Sequence, residues 1–292
     1  MKQLDPQNIL FETLRKQNPS WWVKMVEEND VYIEIRKDNE IDIYYNGGNI
    51  IKDLSYKNGK FNGQINYKYL LKGKSEYIDY DFSCQKAMIK NRNINLTDVN
   101  DFDEDSLKRI KANISQYYPA SSEKGIQARF RTKTNCFVDS EFAYNSNDDK
   151  SRIDLVWIDT NNTKIVFVEL KTMGNPQLYN KDLTIQLGKY EGFAKKYKNQ
   201  IVDYYKRLFE IKKELNILPQ GLTEIASLKG YTLETKPLLL FGDCEQKWIN
   251  NNAKEINESV EDIAVGVYYF GKPLYHCNII SKTNRNRYIF QP

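Results

Sequence analysis

The sequence predicts an α/β fold: a mixed central sheet flanked by helices, with a small β-rich α+β domain ahead of it. Three observations carry this. Residues 31 to 70 form short alternating segments separated by Asn and Gly turns. Residues 135 to 172 hold three consecutive strand-like runs. After them, helical stripes alternate with two strongly apolar segments, KPLLLFGD (236–243) and IAVGVYYF (263–270). Helices interleaved with buried strands are the pattern of a sheet covered on its faces.

The elements follow in order. Ile9, Leu10 and Leu14 after Asp5-Pro6 predict a short helix over 5–17. VYIEIRK (31–37), IDIYYN (41–46), GNIIKDL (48–54) and GKFNGQINYKYL (59–70) are separated by Asp-Asn, Gly-Gly and Asn-Gly pairs, a β-meander signature. Tyr44, Tyr45, Tyr67 and Tyr69 read as packing residues of that sheet, with base stacking as their alternative role. From 97 to 131 the pattern turns helical, with Leu107, Ile110 and Ile114 on one stripe and acids in the first turn, where the helix dipole favours them. A break at Pro119 precedes a second helix, SEKGIQARF, capped by Ser122 with Glu123 just inside. NCFVDSEFAYN (135–145), SRIDLVWID (151–159) and TKIVFVELKT (163–172) are strands. Leu183, Leu187, Tyr190, Ala194, Tyr197 and Ile201 then recur at helical spacing. QKWINNNAKEI reads as a helix between the two apolar strands. The boundary is placed at 96/97: an accessory meander over 1–96, and the α/β domain over 97–292.

Composition bounds the chemistry. The 292 residues are 40% hydrophobic and 28% charged, as in globular proteins. The one histidine, His276, argues against a His-rich metal site and against Ser-His-Asp chemistry. Cys84, Cys136, Cys244 and Cys277 contain no CxxC pair, so zinc ligation and a disulfide framework are not expected, and a reducing, cytoplasmic setting is. The N-terminus lacks a signal-peptide core. No run approaches the ~18 apolar residues of a membrane span. Net charge is a mild +4, but residues 124–138 and the tail 263–292 carry bases without acids. Solvated faces account for such runs unless a phosphate backbone follows them. No P-loop and no nucleophile elbow is present.

The charges in IVFVELKT (165–172) need an explanation. Glu169 and Lys171 end a strand that is otherwise apolar. The link to the preceding strand is TNNT, and a hairpin centred on Asn161-Asn162 pairs Val156 with Phe167, Ile158 with Ile165, and Asp154 with Glu169. On the other face Ile153, Leu155 and Trp157 meet Leu170, Val168 and Val166, all apolar. This register sets two carboxylates about 5 Å apart at Cβ, which is destabilising unless compensated. A divalent cation compensates it, and Mg²⁺ (or Mn²⁺) suits a few carboxylate oxygens plus retained waters. Lys171, two residues on, shares the face of Glu169. A salt-bridged Asp-Lys-Glu triad is the purely structural alternative.

Asp154, followed after a short hairpin by Glu169-Leu170-Lys171, resembles the motif of the PD-(D/E)XK nuclease superfamily, the restriction-endonuclease-like fold. Residues 122 to 243 follow the family order of helix, three-stranded meander, helix and further strand. Ile153 stands where the family name has proline, a variable position. Gln186 and Tyr190, four apart on one helical face, resemble the Q-x-x-x-Y element of the RecB-like branch. The resemblance implies a Mg²⁺-dependent deoxyribonuclease in which Asp154 and Glu169 hold the metal, with Lys171 and Gln186 beside them. It also implies a further acid. Glu123 fits the helix glutamate of many members, and Glu141 faces Asp154 if the NSNDDK loop (145–150) is symmetric. Lys189, Lys195, Lys196, Lys198, Lys206 and Arg207 would track the backbone of DNA, with RNA open as a substrate. No membrane partner is expected, and a homodimer would suit double-strand cutting. A nuclease with an added sensing domain would suit defence against foreign DNA or DNA processing. The competing expectation is a catalytically inactive nucleic-acid-binding or assembly module on the same fold.

Overall fold

The computed structural model describes residues 3–71, 75–82, 86–89, 92–94, 104–133, 136–145, 150–173, 175 and 182–271. The fold is mixed α/β, with two sheets and seven helices among these residues. It divides into two compact units, Lys2–Ala128 with Arg207–Leu218, and Arg129–Lys206 with Pro219–Pro292. The expected boundary at 96/97 falls outside the described residues, as do Cys84, His276, Cys277 and the basic tail beyond 271. No described helix is long and apolar enough to cross a membrane.

The first unit opens with α1 (Ile9–Gln17). The Asn8 side chain caps it by accepting from Leu10 N, and Asn18 closes it at φ 43°. After α2 (Ser20–Glu27) come β1 (Val31–Ile35), β2 (Ile41–Tyr45), β3 (Gly48–Lys57), β4 (Lys60–Asn66), β5 (Tyr77–Asp81), β6 (Lys86–Ile89) and β7 (Arg92–Ile94). They form one antiparallel sheet in chain order. Two hairpins turn on Asn46-Gly47 and Asn58-Gly59, all four residues at positive φ. This is the two-residue turn whose twist matches the strands; the first turn uses Asn46-Gly47 rather than the expected Gly47-Gly48. The expected strand over 59–70 also ends early. Asn66 accepts from the Lys68 N–H, and the chain turns into α3 (Tyr67–Leu71). α4 (Glu104–Tyr117) buries Leu107, Ile110 and Ile114 as the stripe requires. α5 (Glu123–Lys133) begins where Ser122 Oγ accepts from Gly125 N. In the same unit Lys212 reaches a fully buried Glu34 at 2.6 Å and the Ile33 carbonyl at 2.8 Å.

The second unit is built on β8 (Phe137–Asn145), β9 (Lys150–Asp159) and β10 (Lys164–Thr172), an antiparallel meander. β12 (Leu238–Cys244) lies parallel to β10, β13 (Gly266–Gly271) parallel to β12, and the short β11 (Thr232–Leu233) also pairs with β10. The order is β13-β12-β10-β9-β8. α6 (Asp182–Glu214) follows β10, with non-helical dihedrals at Tyr197. Phe142 and Phe167 of the sheet meet Phe193 and Tyr205 of this helix. Leu239 and Phe241 join Leu183 and Leu187 of α6 and Ile249, Ala253, Ile256 and Val260 of α7 (Gln246–Val260) in one core. Phe130 of α5 packs edge-on against Phe137 and Phe270. Phe137 pairs with Trp157, which by alternation faces away from Phe167, so α5 covers the face opposite α6. Fully burying a side chain such as Phe137, Phe167 or Phe241 contributes about 1.5–3 kcal/mol.

Candidate active site

The β9–β10 hairpin has the register expected from its sequence. Ile158 pairs with Ile165, Val156 with Phe167, and Leu155 with Val168. The turn itself differs. It spans Thr160–Thr163, with Thr163 rather than the Asn pair at positive φ, and Asp159 Oδ1 accepts from both Asn161 N and Asn162 N. A four-residue loop centred on the same bond keeps the pairing parity, so the register survives the change of turn.

The ladder ends at Leu155–Val168, one step short of Asp154 and Glu169. Two backbone groups next to that end are satisfied by side chains. Asp154 Oδ2 accepts from the Leu170 N–H at 2.9 Å, and the Tyr190 hydroxyl donates to the Arg152 carbonyl. This answers the requirement that buried backbone groups stay paired, and it fixes both side chains where the strands cease to bond. From β10, Glu169 and Lys171 are 1% and 4% exposed. Lys171 Nζ donates to Glu169 Oε1 and, at 3.2 Å, to Gln186 Oε1. Gln186 Nε2 in turn donates to Tyr190 Oη at 3.1 Å. A continuous hydrogen-bonded chain therefore runs Glu169–Lys171–Gln186–Tyr190–Arg152, drawn from two strands and one helix. Burial, then the negative charges of Glu169 and Asp154, push the Tyr190 hydroxyl well above the ordinary tyrosine range. It stays a neutral donor.

The second Glu169 oxygen, Oε2, is buried and has no hydrogen-bond partner among the described residues. An orphaned carboxylate oxygen costs a few kcal/mol in a protein interior. A cation ligand removes that cost. With Asp154 across the hairpin, the donor set is two carboxylates with oxygen ligands only, which fits Mg²⁺ or Mn²⁺ completed by waters.

Two further acids were expected. Glu141 lies on β8 in the expected register, since Ser140 pairs with Leu155 and Phe142 with Ile153. Its backbone, however, is at φ 57°, and its carboxylate pairs with Arg152 at 3.4 Å. The alternation of β8 breaks there: Asp139 and Phe142, three apart, both contact Tyr205 of α6. Glu123 opens α5 in the stretch that belongs to the first unit. Among the described residues no group of three or more His, Cys, Asp or Glu could hold a metal ion. Of the expected bases on α6, Lys195 is paired with Glu191, and Lys206 lies 3.7 Å from Asp203. Lys189 is exposed. The sequence reading missed Arg152, whose carbonyl and guanidinium are both engaged at the site. Its signal was the same hairpin arithmetic, which sets Arg152 opposite Lys171.

No family model matches the chain, and no curated protein or solved structure matches it either.

Proposed function

We propose that the protein is a metal-dependent nuclease of the PD-(D/E)XK kind on a restriction-endonuclease-like sheet, hydrolysing phosphodiester bonds of DNA. The observation that carries this reading is the orphaned, buried Oε2 of Glu169, next to Lys171 and across the hairpin from Asp154. A closed structural triad would leave no carboxylate oxygen without a partner. The order α5, β8–β9–β10, α6, β12 supports the same reading.

Asp154 and Glu169 would hold Mg²⁺ or Mn²⁺. A bound divalent cation supplies Lewis acidity at a phosphoryl oxygen and makes water a nucleophile near neutral pH. The chain's own residues do the rest. The Leu170 N–H fixes the orientation of the Asp154 carboxylate. Gln186 holds the Lys171 ammonium on the face of Glu169, where it meets charge developing on the scissile phosphate. Tyr190 ties Gln186 to the β9 backbone, so the lysine cannot swing away. The low exposure of Glu169 and Lys171 keeps these interactions in a weakly screening environment.

A second reading, an inactive nucleic-acid-binding module, draws on the acid count: among the described residues no group of three or more His, Cys, Asp or Glu could hold a metal ion. The test is incubation of plasmid, linear and single-stranded DNA, and of RNA, with Mg²⁺, Mn²⁺ or EDTA. Cleavage that needs the metal and falls about 10²–10³-fold in Lys171→Ala supports the nuclease. No cleavage of any substrate, with metal-free binding retained, supports the second reading.

A further inference from the structure

The first unit carries a cluster of tyrosines and lysines for which the hydrolytic site has no use. Lys68 of α3 places its ammonium 4.8, 4.5 and 5.7 Å from the ring centres of Tyr69, Tyr117 and Tyr118. Each distance lies within cation–π range. Among the described residues no carboxylate pairs with Lys68, and three aromatic faces lie against its charge. Those faces do not consume its three N–H donors in directional bonds.

The surroundings are packed and hydrogen-bonded. Asn113 of α4 donates to the Tyr69 carbonyl at 2.7 Å, which pins α3 to α4. The Tyr117 ring stands edge-on to Tyr69, with centres 5.9 Å apart, and Tyr117 is 47% exposed. Next to this group, Tyr77 of β5 is 40% exposed and carries Lys52 5.0 Å above its ring. Lys52 is also bound to Asp53 at 2.6 Å. The Tyr77 hydroxyl donates to Asn49 Oδ1 at 3.3 Å, and the Asn49 amide nitrogen is buried with no partner among the described residues.

Two open tyrosine rings, each with an ammonium against it, repeat one chemical unit. That unit complements a base followed by a phosphate. We infer that Tyr117 with Lys68, and Tyr77 with Lys52, form a docking surface for single-stranded nucleic acid, in which bases stack on the rings and phosphates meet the ammonium groups. A phosphate gains most at Lys68, which no carboxylate among the described residues pairs, whereas Lys52 is held by Asp53. Duplex DNA, with its bases stacked inside, cannot use the rings.

The test is metal-free binding of a fluorescein-labelled oligothymidylate to the full chain in EDTA, read by anisotropy across a salt series. It reads binding only, so it stands or falls separately from the nuclease reading. Tyr117→Ala is expected to weaken binding at least ~5-fold, the low end for losing one stacked base. Tyr117→Phe keeps the ring and is expected to keep the affinity. Lys68→Gln is expected to make the slope of log K against log salt shallower by about 0.7, one phosphate contact on a single strand, and Lys68→Arg to restore it. Thermal melting of each variant excludes loss of the fold. Wild-type affinity and salt slope in both Tyr117→Ala and Lys68→Gln, or equal affinity for the duplex of the same sequence, would overturn the inference.

Discussion

Lys171→Met removes one partner from a pair that is almost wholly out of water. The side chains of Lys171 and Glu169 are 5% and 2% exposed, and the lysine holds Glu169 Oε1 while Oε2 has no partner among the described residues. The variant therefore leaves a buried carboxylate without its cation, with the Tyr190 hydroxyl as its polar neighbour. Breaking a buried pair in this way costs about 3–5 kcal/mol. Against a typical total of ~5–15 kcal/mol, that is a large fraction. At a urea m-value near 2 kcal/mol per molar, the midpoint drops by roughly 2 M. The double variant Glu169→Gln/Lys171→Met removes both charges and is expected to recover part of the loss, because no uncompensated charge is then left buried. Mn²⁺ is expected to stabilise Lys171→Met, since the stranded carboxylate becomes a better ligand, and not the double variant. Urea titrations of the three proteins, with and without Mn²⁺, give the answer. If Lys171→Met unfolds within 1 kcal/mol of the wild type, the desolvated-pair argument is wrong.

Asp154→Ala is expected to lose ~1–3 kcal/mol, because the Leu170 N–H loses its acceptor, whereas Asp154→Asn keeps an acceptor and most of the stability yet loses metal-dependent cleavage; melting curves beside cleavage rates separate the two roles. Lys212→Met removes the ammonium from a carboxylate at zero exposure and is expected to cost ~3–5 kcal/mol, with Glu34→Gln added to recover part of it, both read by chemical denaturation. Burial first, and for Tyr190 then the charges of Glu169 and Asp154, raise the hydroxyl pKa of Tyr44 and Tyr190 above the ordinary value near 10. The folded state then keeps protons that the unfolded chain releases, so stability is level below pH ~10 and falls above it. In an ultraviolet titration these two tyrosines should ionise only as the protein unfolds, and Tyr190→Phe should remove one of them from that late phase. Early ionisation of the full tyrosine complement would contradict their placement.

The hairpin register was legible because hairpin symmetry and apolar alternation are strong constraints. Val156, Phe167 and Ile158 could not be shifted by one residue without exposing a core face, so the pairs Val156–Phe167 and Ile158–Ile165 followed from the turn position alone. The turn type was not legible, because Thr163 in a left-handed conformation carries no sequence signal comparable to Asn-Gly. Glu141 shows the limit of the same arithmetic. Its register was right, yet its left-handed backbone breaks the alternation on which face assignment rests. The break lets Asp139 and Phe142 both pack on α6, a tertiary gain that local pattern does not encode. In the first unit, Asn58-Gly59 announced its hairpin. The end of β4 did not announce itself, because Tyr67 and Tyr69 suit a strand as well as a helix, and the Asn66 cap decides between them. The strands β5 to β7 lacked turn pairs to mark them, although Ile78 and Tyr80 alternate inward.

The central claim is that Asp154 and Glu169 share a divalent cation. Anomalous diffraction from crystals soaked in Mn²⁺ tests it most directly. The account predicts a peak about 2.0–2.2 Å from oxygens of both carboxylates, close to the spacing of octahedral Mg²⁺ sites, and its loss in Glu169→Gln. No peak at saturating Mn²⁺, or a peak that touches neither Asp154 nor Glu169, would contradict it.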